Sequence, residues 1–462
     1  MNCRFITAIV TGFFFTMIST GQTENKEPGQ AVNSLTGGFI RSGFYYDLNR
    51  KNSTTVFSSA FSDFCFKTKV HGGENFRAAS DVRFRYGSEF GTGINTFTIR
   101  EAFAEYTISR FTVSVGQQVV NWGRADFNSA ISKLNPRNYI LRSPDYEDMD
   151  MGNILTSLSW QALYFIRLQA VFVPFYRPSM LLTDPVPLPY GVAIEKMKPF
   201  ITGENLQGYG LKASINHRGV DLGLTWFDGY DPMPGIKLNE FSTDMSGQVP
   251  QFSTKLKMAP YKIRSAGIDF ESVARSFGIR GEAAFSMPYL DYKINEYVPL
   301  KEIRWAGGFD YSSSSLRLVF EYYGKYLPQF TPSSVAPLIG TEPDMAELAR
   351  LLAQPGFDIA GYIRDQTAAF NRLYNYQLKK SYHSVGLKAE QEMFYGKVIP
   401  SAFVMYNFTS RDLFFIPSVK IKPADGFTIS AGADIYSGKN GSLYHIINDF
   451  MESVYFSLRA DF

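Results

Sequence analysis

Long runs of strict alternation constrain this chain more than any other feature. In Phe76 to Tyr86 the even positions are Phe76, Ala78, Ser80, Val82, Phe84 and Tyr86. The odd positions are Arg77, Ala79, Asp81, Arg83 and Arg85. Successive side chains of a strand point to opposite faces, so this segment has one apolar and one charged face. A tilted membrane-spanning strand needs ~9–11 residues, and the run is that long. A half-wet soluble sheet shows the same alternation over shorter stretches.

The segment Ser453 to Phe462 separates the two cases. Val454, Phe456, Leu458, Ala460 and Phe462 alternate with Ser453, Tyr455, Ser457, Arg459 and Asp461. A soluble domain has little use for an exposed Phe closing an amphipathic strand. This ending resembles the terminal signal by which outer-membrane barrels are recognised for assembly. Further segments fall into hairpins with short turns at Ser109-Arg110, Gln161-Ala162, His217 to Gly219, Ala274-Arg275, Ser312 to Ser315, Tyr395-Gly396 and Pro423 to Gly426. Long connections lie between them, the first running from Gln118 to Gly152. Short turns at one end and long loops at the other are the pattern of a transmembrane antiparallel up-and-down β-barrel, here of roughly eighteen strands. The all-β reading agrees with 16% aromatic residues, 38 Gly and only 19% charged residues.

Domain boundaries follow. Arg4, the apolar run Phe5 to Ile18 and the small residues Ser19-Thr20-Gly21 read as a signal peptide over 1–21. The apolar run falls short of the ~20 residues of a spanning helix. Residues 22–37 read as a periplasmic N-terminal segment and 38–462 as the barrel. The expected location is the outer membrane of a two-membrane (Gram-negative) bacterium. Residues 342–375 break the two-residue period. Pro343 suits a first helical turn, and Ile359, Tyr362, Ile363, Phe370 and Leu373 share one helical face. This predicts a helical insert in a long extracellular loop, acting either as a cap on the mouth or as a plug.

With apolar residues facing lipid, the alternate rows face the lumen. Arg77, Asp81, Arg83, Arg85, Glu101 and Glu105 are therefore expected to line a pore, with Arg77, Arg83 and Arg85 as a basic ladder. Gln118 leads into the first long loop, which carries Asp145, Glu147, Asp148 and Asp150. Folded inward, that loop would set these acids against the ladder and narrow the channel; folded outward, it is a solvated surface loop. A net charge of +3 without a basic stripe gives no sign of nucleic-acid binding. Cys3 lies in the leader and Cys65 stands alone, so no disulfide or cysteine metal site is expected. His71, His217, His383 and His445 show no metal spacing and no neighbouring nucleophile, so no catalytic residue, metal or cofactor is assigned. An acid paired with His383 or His445 at the outer rim is the enzymatic alternative.

The most distinctive sequence is Gly116-Gln117-Gln118-Val119-Val120-Asn121-Trp122-Gly123-Arg124, followed by Leu134-Asn135-Pro136-Arg137-Asn138 and preceded by Arg100-Glu101-Ala102-Phe103. This ordered set resembles the bacterial outer-membrane family known as DUF1302. The residues that carry the resemblance are Gly116, Gln117, Gln118, Trp122, Gly123, Asn135 and Pro136. It implies a porin-like barrel, and some members look like partners of inner-membrane efflux or lipid-export systems. Trp122 is expected to anchor the strand where it leaves the membrane. The functional expectation is an outer-membrane channel for small or amphipathic solutes, constricted by inward loops. The alternatives are a non-transport surface or assembly-partner protein, and the outer component of an export system. Expected partners are outer-membrane lipid, the barrel assembly machinery, a small-molecule solute and, on the export reading, inner-membrane or periplasmic transport proteins.

Overall fold

The structure is a computed structural model that describes residues 32–49, 57–183, 186, 188–189, 191–195, 198, 206–244, 251–339, 350 and 354–462. The expected leader, the first part of the 22–37 segment and nearly all of the first helical piece after Glu342 lie outside the described residues.

The chain runs through β1 (Val32–Asp47), β2 (Ser59–Gly72), β3 (Phe76–Glu89), β4 (Thr92–Ile108), β5 (Phe111–Gln118), β6 (Asn153–Leu163) and β7 (Ile166–Val173). After β8 (Val192–Glu195) come β9 (Gly208–His217), β10 (Val220–Tyr230), β11 (Gly235–Asp244) and β12 (Gln251–Ala259). Next are β13 (Lys262–Ala274), β14 (Phe277–Pro288), β15 (Glu302–Ser312) and β16 (Leu316–Tyr326). The last are β17 (Ser381–Gln391), β18 (Val398–Asn407), β19 (Asp412–Ala424), β20 (Phe427–Ser437) and β21 (Ser453–Asp461). Eighteen of these strands form one antiparallel barrel. β7 pairs with β9 and β10 with β13, so β8, β11 and β12 stand apart as a small sheet at the loop end. β21 closes on β1 from Phe39↔Asp461 to Asp47↔Ser453, and Gly38 and Phe462 exchange backbone hydrogen bonds of 2.9 and 3.1 Å. Closure leaves no unpaired strand edge, which is what an apolar solvent demands of a sheet. β1 begins at Val32, so residues 32–37 are already strand.

The two faces are inverted relative to a soluble protein. Phe84, Tyr86, Val113, Val115, Leu222, Leu224, Ile268 and Phe456 are exposed on the outside, while Arg41, Asp63, Arg85, Asp269, Glu282 and Glu321 are buried inside. The outer band suits hydrocarbon, and the charges are kept from it.

At the turn end the hairpins are tight. Arg218 and Gly219 both take positive φ (52° and 80°), the pattern of a two-residue turn that matches strand twist. The turn expected at Gln161-Ala162 instead lies at Tyr164-Phe165, because an irregularity between Gln161 and Leu163 lengthens β6. At the loop end the helix Ile359–Tyr374 fulfils the second half of the expected insert. Asp358 caps it, its carboxylate accepting the Gly361 N–H at 2.9 Å. Asn371 ties it to the small sheet, donating to the Ile236 and Glu296 carbonyls and accepting the Ile236 N–H. A second helix, Leu443–Met451, is capped by Ser442.

Candidate functional site: a segment folded across the lumen

The connection between β5 and β6, residues 119–152, turns into the barrel. Its entrance is built by the distinctive motif. β3 and β4 slip register between Asp81 and Val82, which leaves Arg100 unpaired and turns both Arg100 and Glu101 toward the inside. Gln117 donates to the Ile99 and Arg100 carbonyls at this bulge, and Glu101 accepts the Val119 N–H at 2.9 Å. Gly116 lies at φ +133, where a Cβ would meet the Ala102 carbonyl oxygen at 2.3 Å. Asn135 closes the neck, accepting the Val120 N–H at 2.9 Å and donating to the Val120 carbonyl at 3.0 Å. The Pro136 carbonyl accepts the Met151 N–H at 3.0 Å. Gln118 is buried, accepting from Ser114 at 3.0 Å.

Trp122 corrects an expectation. It is not an interfacial anchor. It is 3% exposed inside the lumen, packs on Gly210, and donates to Gln169 at 2.9 Å. The chain has already turned inward, so the indole meets the inner face of the nearby strands β7 and β9 rather than lipid. Around it Ala130, Ile131 and Leu134 form an apolar core with Leu155, Val171, Val173 and Phe227. Gly123 sits where a Cβ would strike Ser129 and the Glu282 carboxylate.

Beyond this core the segment is held by charge, of opposite sign at its two ends. Toward β10–β16 it presents positive groups to an acidic wall. Arg124 reaches Asp221, Asp269 and Glu271 at 3.5, 3.2 and 2.7 Å. The Glu282 carboxylate accepts the N–H groups of Arg124, Ala125, Ala130 and Ile131. Glu321 accepts those of Asp126 and Phe127 and the Tyr323 hydroxyl. Converging backbone N–H groups act as a partial positive charge, so two wall carboxylates hold this stretch as a nest holds an anion.

Toward β1–β3 and β19–β21 the segment presents acids to a basic wall. Asp148 meets Arg41 at 2.8 Å and Arg83 at 2.7 Å and accepts from Ser143 at 2.6 Å. Asp145 meets Lys420, Arg459 and Arg41 at 2.8, 3.3 and 3.4 Å. Burial alone would push the Asp148 carboxyl up, but Arg41 and Arg83 hold it well below the ordinary carboxylate range.

The expected ladder divides. Arg83 meets the segment's Asp148 and its own neighbour Asp81. Arg85 is buried between Asp63 and Glu89, and touches the segment only at the Arg142 carbonyl, at 3.0 Å. Arg77 stays away from the segment, with Glu105 at 4.0 Å and its side chain 45% exposed. Asp81 gathers Arg83, Arg100, Lys67 and the Cys65 thiol. Asp150 pairs within the segment with Arg137 at 3.0 Å. Glu147 is exposed, and only its backbone carbonyl is engaged, by Arg100. The arrangement therefore sets one of the four expected acids, Asp148, against the expected ladder, through Arg83, while Asp145 meets Arg41, Lys420 and Arg459 instead.

The same rule of alternation places Asp221, Arg280, Glu282 and Glu321 on inward rows, but it carries no signal of what they hold. Arg41 shares its inward row with Phe39 and Tyr45, and that row was legible in the same way. Of the two histidines at the loop end, His383 meets the Tyr322 hydroxyl at 2.6 Å rather than an acid, and the His445 side chain is exposed.

Between the segment and the loop-end helices lies a polar cavity of about 700 Å³. The segment forms its floor through Asp126 to Ala130, and Tyr374 to Tyr376, at the C-terminal end of the helix Ile359–Tyr374, border it.

Comparison with known proteins agrees with this architecture. The family model "Protein of unknown function (DUF1302)" matches residues 30–151, from the start of the barrel to the end of the in-folded segment, the family that the motif resembles. No curated protein matches. Among solved structures the chain is similar to Pseudomonas aeruginosa OccK9 (OpdG) at 7% identity and a TM-score of 0.51, covering 93% of this chain and 98% of that one. It is similar to P. aeruginosa OccK3 (OpdO) at 8% identity and TM-score 0.51, over 93% and 96%. It is also similar to Acinetobacter baumannii OccAB2 at 9% identity and TM-score 0.50, over 93% and 98%. At such identities the likeness is one of fold: a closed 18-stranded antiparallel barrel of the outer-membrane porin type.

Proposed function

We propose that the protein is an outer-membrane channel for small solutes, constricted by residues 119–152. The observation that carries this reading is the bipolar segment, with Asp145 and Asp148 on a basic wall and Arg124 on an acidic one. A structural filler needs only shape and apolar contact. Opposed charges across a narrowed lumen impose a transverse field, which orders dipolar solutes and discriminates among ions. An eighteen-stranded wall is wide enough for an aqueous path once the segment leaves room. Lys420 and Arg459, at 39% and 31% side-chain exposure, present cations to that space on the basic side.

Planar bilayers test the reading. The native chain is expected to give small discrete conductance steps. Replacing 124–148 by a short Gly-Ser linker is expected to enlarge them severalfold and weaken ion selectivity. No step from either protein would sink the channel reading and favour a non-transport surface or assembly role.

A further inference from the structure

The loop-end cavity carries a feature that a simple constriction does not require. Six carboxylates line it. Four are matched to a cation: Asp126 to Arg280 at 2.7 Å, Asp150 to Arg137 at 3.0 Å, Asp231 to Lys133 at 2.9 Å and Glu302 to Lys325 at 2.9 Å. Glu147 is exposed to solvent. Asp412 alone is both buried, at 1% exposure, and without a cationic partner among the described residues. Its Oδ1 accepts the Tyr444 N–H at 3.3 Å, and the hydroxyls of Ser442, Ser410 and Tyr376 surround the carboxylate, all neutral groups that leave its charge unbalanced. A carboxylate held away from water is costly unless an opposite charge reaches it.

Aromatic rings surround this acid at the cavity wall. Tyr376, Tyr382 and Tyr444 line the same space. Tyr376 and Tyr382 meet edge to face at 5.6 Å. Tyr444 is backed by Tyr436 at 5.4 Å and Phe414 at 6.3 Å. The rings are fixed in place: the Tyr382 hydroxyl accepts the N–H groups of Leu378 and Lys379 at 3.1 and 3.2 Å. Tyr376 follows the helix Ile359–Tyr374 at φ 52, a backbone conformation that suits Gly and costs a bulky residue of order 1 kcal/mol or more. A ring is retained at a position whose backbone favours none.

We propose that this cavity binds an organic ammonium ion, with the Asp412 carboxylate as counter-ion and the Tyr376, Tyr382 and Tyr444 rings as its cage. Aromatic faces attract cations, most strongly where water is excluded, and quaternary ammonium groups suit such cages because they need no hydrogen-bond acceptors. A hard metal ion is a poor fit, since one carboxylate cannot supply six or more oxygen ligands, and no metal-holding group of three acids, cysteines or histidines occurs among the described residues. The volume matches that of small-molecule sites, ~300–1,000 Å³. The proposal goes beyond the channel reading and stands apart from it, because binding is measured without a bilayer.

Titration calorimetry of the full chain in detergent tests it, with choline and its neutral carbon isostere 3,3-dimethylbutanol as probes. Choline is expected to bind saturably and at least tenfold more tightly than the isostere. Asp412→Asn is expected to erase that preference. Tyr376→Gly, which the backbone at that position accommodates, is expected to weaken choline at least threefold while the barrel keeps its folded mobility on gels. Equal affinity for the two probes, no binding of either, or unchanged choline binding by Asp412→Asn in folded protein would overturn the proposal.

Discussion

Arg77, Arg83 and Arg85 share one strand face but not one environment, and the difference predicts their variants. Arg85 lies over the Phe61 ring at 3.7 Å, between Asp63 and Glu89. Replacing it by Gln leaves Glu89 buried with no cation, a change that costs about 3 kcal/mol in comparable buried pairs. Arg85→Gln is expected to unfold at clearly lower denaturant, read from the loss of compact gel mobility. Arg77→Gln removes a half-exposed group whose nearest acid is 4.0 Å away. It is expected to leave stability unchanged and to shift ion selectivity toward cations. Equal stability of the two variants would contradict the burial argument. The sequence showed the three arginines as one row, since alternation reports which face a residue takes. It does not report which acid comes to meet it, because Asp63 is paired across strands and Asp148 arrives from a distant loop.

At the scale of the element, the in-folded segment behaves as a strut clamped at both ends. Its clamp on the basic wall has a defined pH sense. The folded Asp148 carboxyl titrates below its unfolded value of ~3.9, so its stabilising effect is complete above that pH and is lost only as pH falls through the lower folded value. Conductance is therefore expected to be unchanged between neutral pH and about pH 4.5, where an exposed carboxylate clamp would already begin to weaken. A stepwise opening near pH 5 would mean that Asp148 is not what holds the segment. The clamp on the acidic wall rests on carboxylates too, since Glu282 and Glu321 accept the segment's backbone N–H groups, so strong acid weakens both ends. Little of this strut was readable in advance. The motif showed that something specific happens after Gln118, and the acids suggested an inward fold. The apolar core around Trp122 was hidden, because its partners Leu155, Val171 and Phe227 come from three different strands.

For the whole molecule, the outer band is the part that lipid must accept. Leu224 is 59% exposed on that band. Leu224→Arg is expected to cost ~2–4 kcal/mol if the position lies near the bilayer midplane and progressively less toward either rim. Refolding yield into lipid vesicles, compared with that of Leu224→Ala, measures the difference. A yield equal to that of the Ala variant would place this face away from hydrocarbon.

The sequence by itself determined the barrel, its approximate strand number and the face of each strand, because a period of two is a local property and a nonpolar surround forces every strand to be paired. It also marked residues 116–136 as special, because glycine, tryptophan and asparagine at fixed spacing are constraints written in consecutive residues. Only the tertiary structure decided what fills the lumen. Arg124 finds Glu271 across 147 positions, Asp145 finds Arg459 across 314, and Asp412 finds no cation among the described residues. Such pairings depend on how a ring of eighteen strands brings remote positions face to face, and no local pattern encodes them.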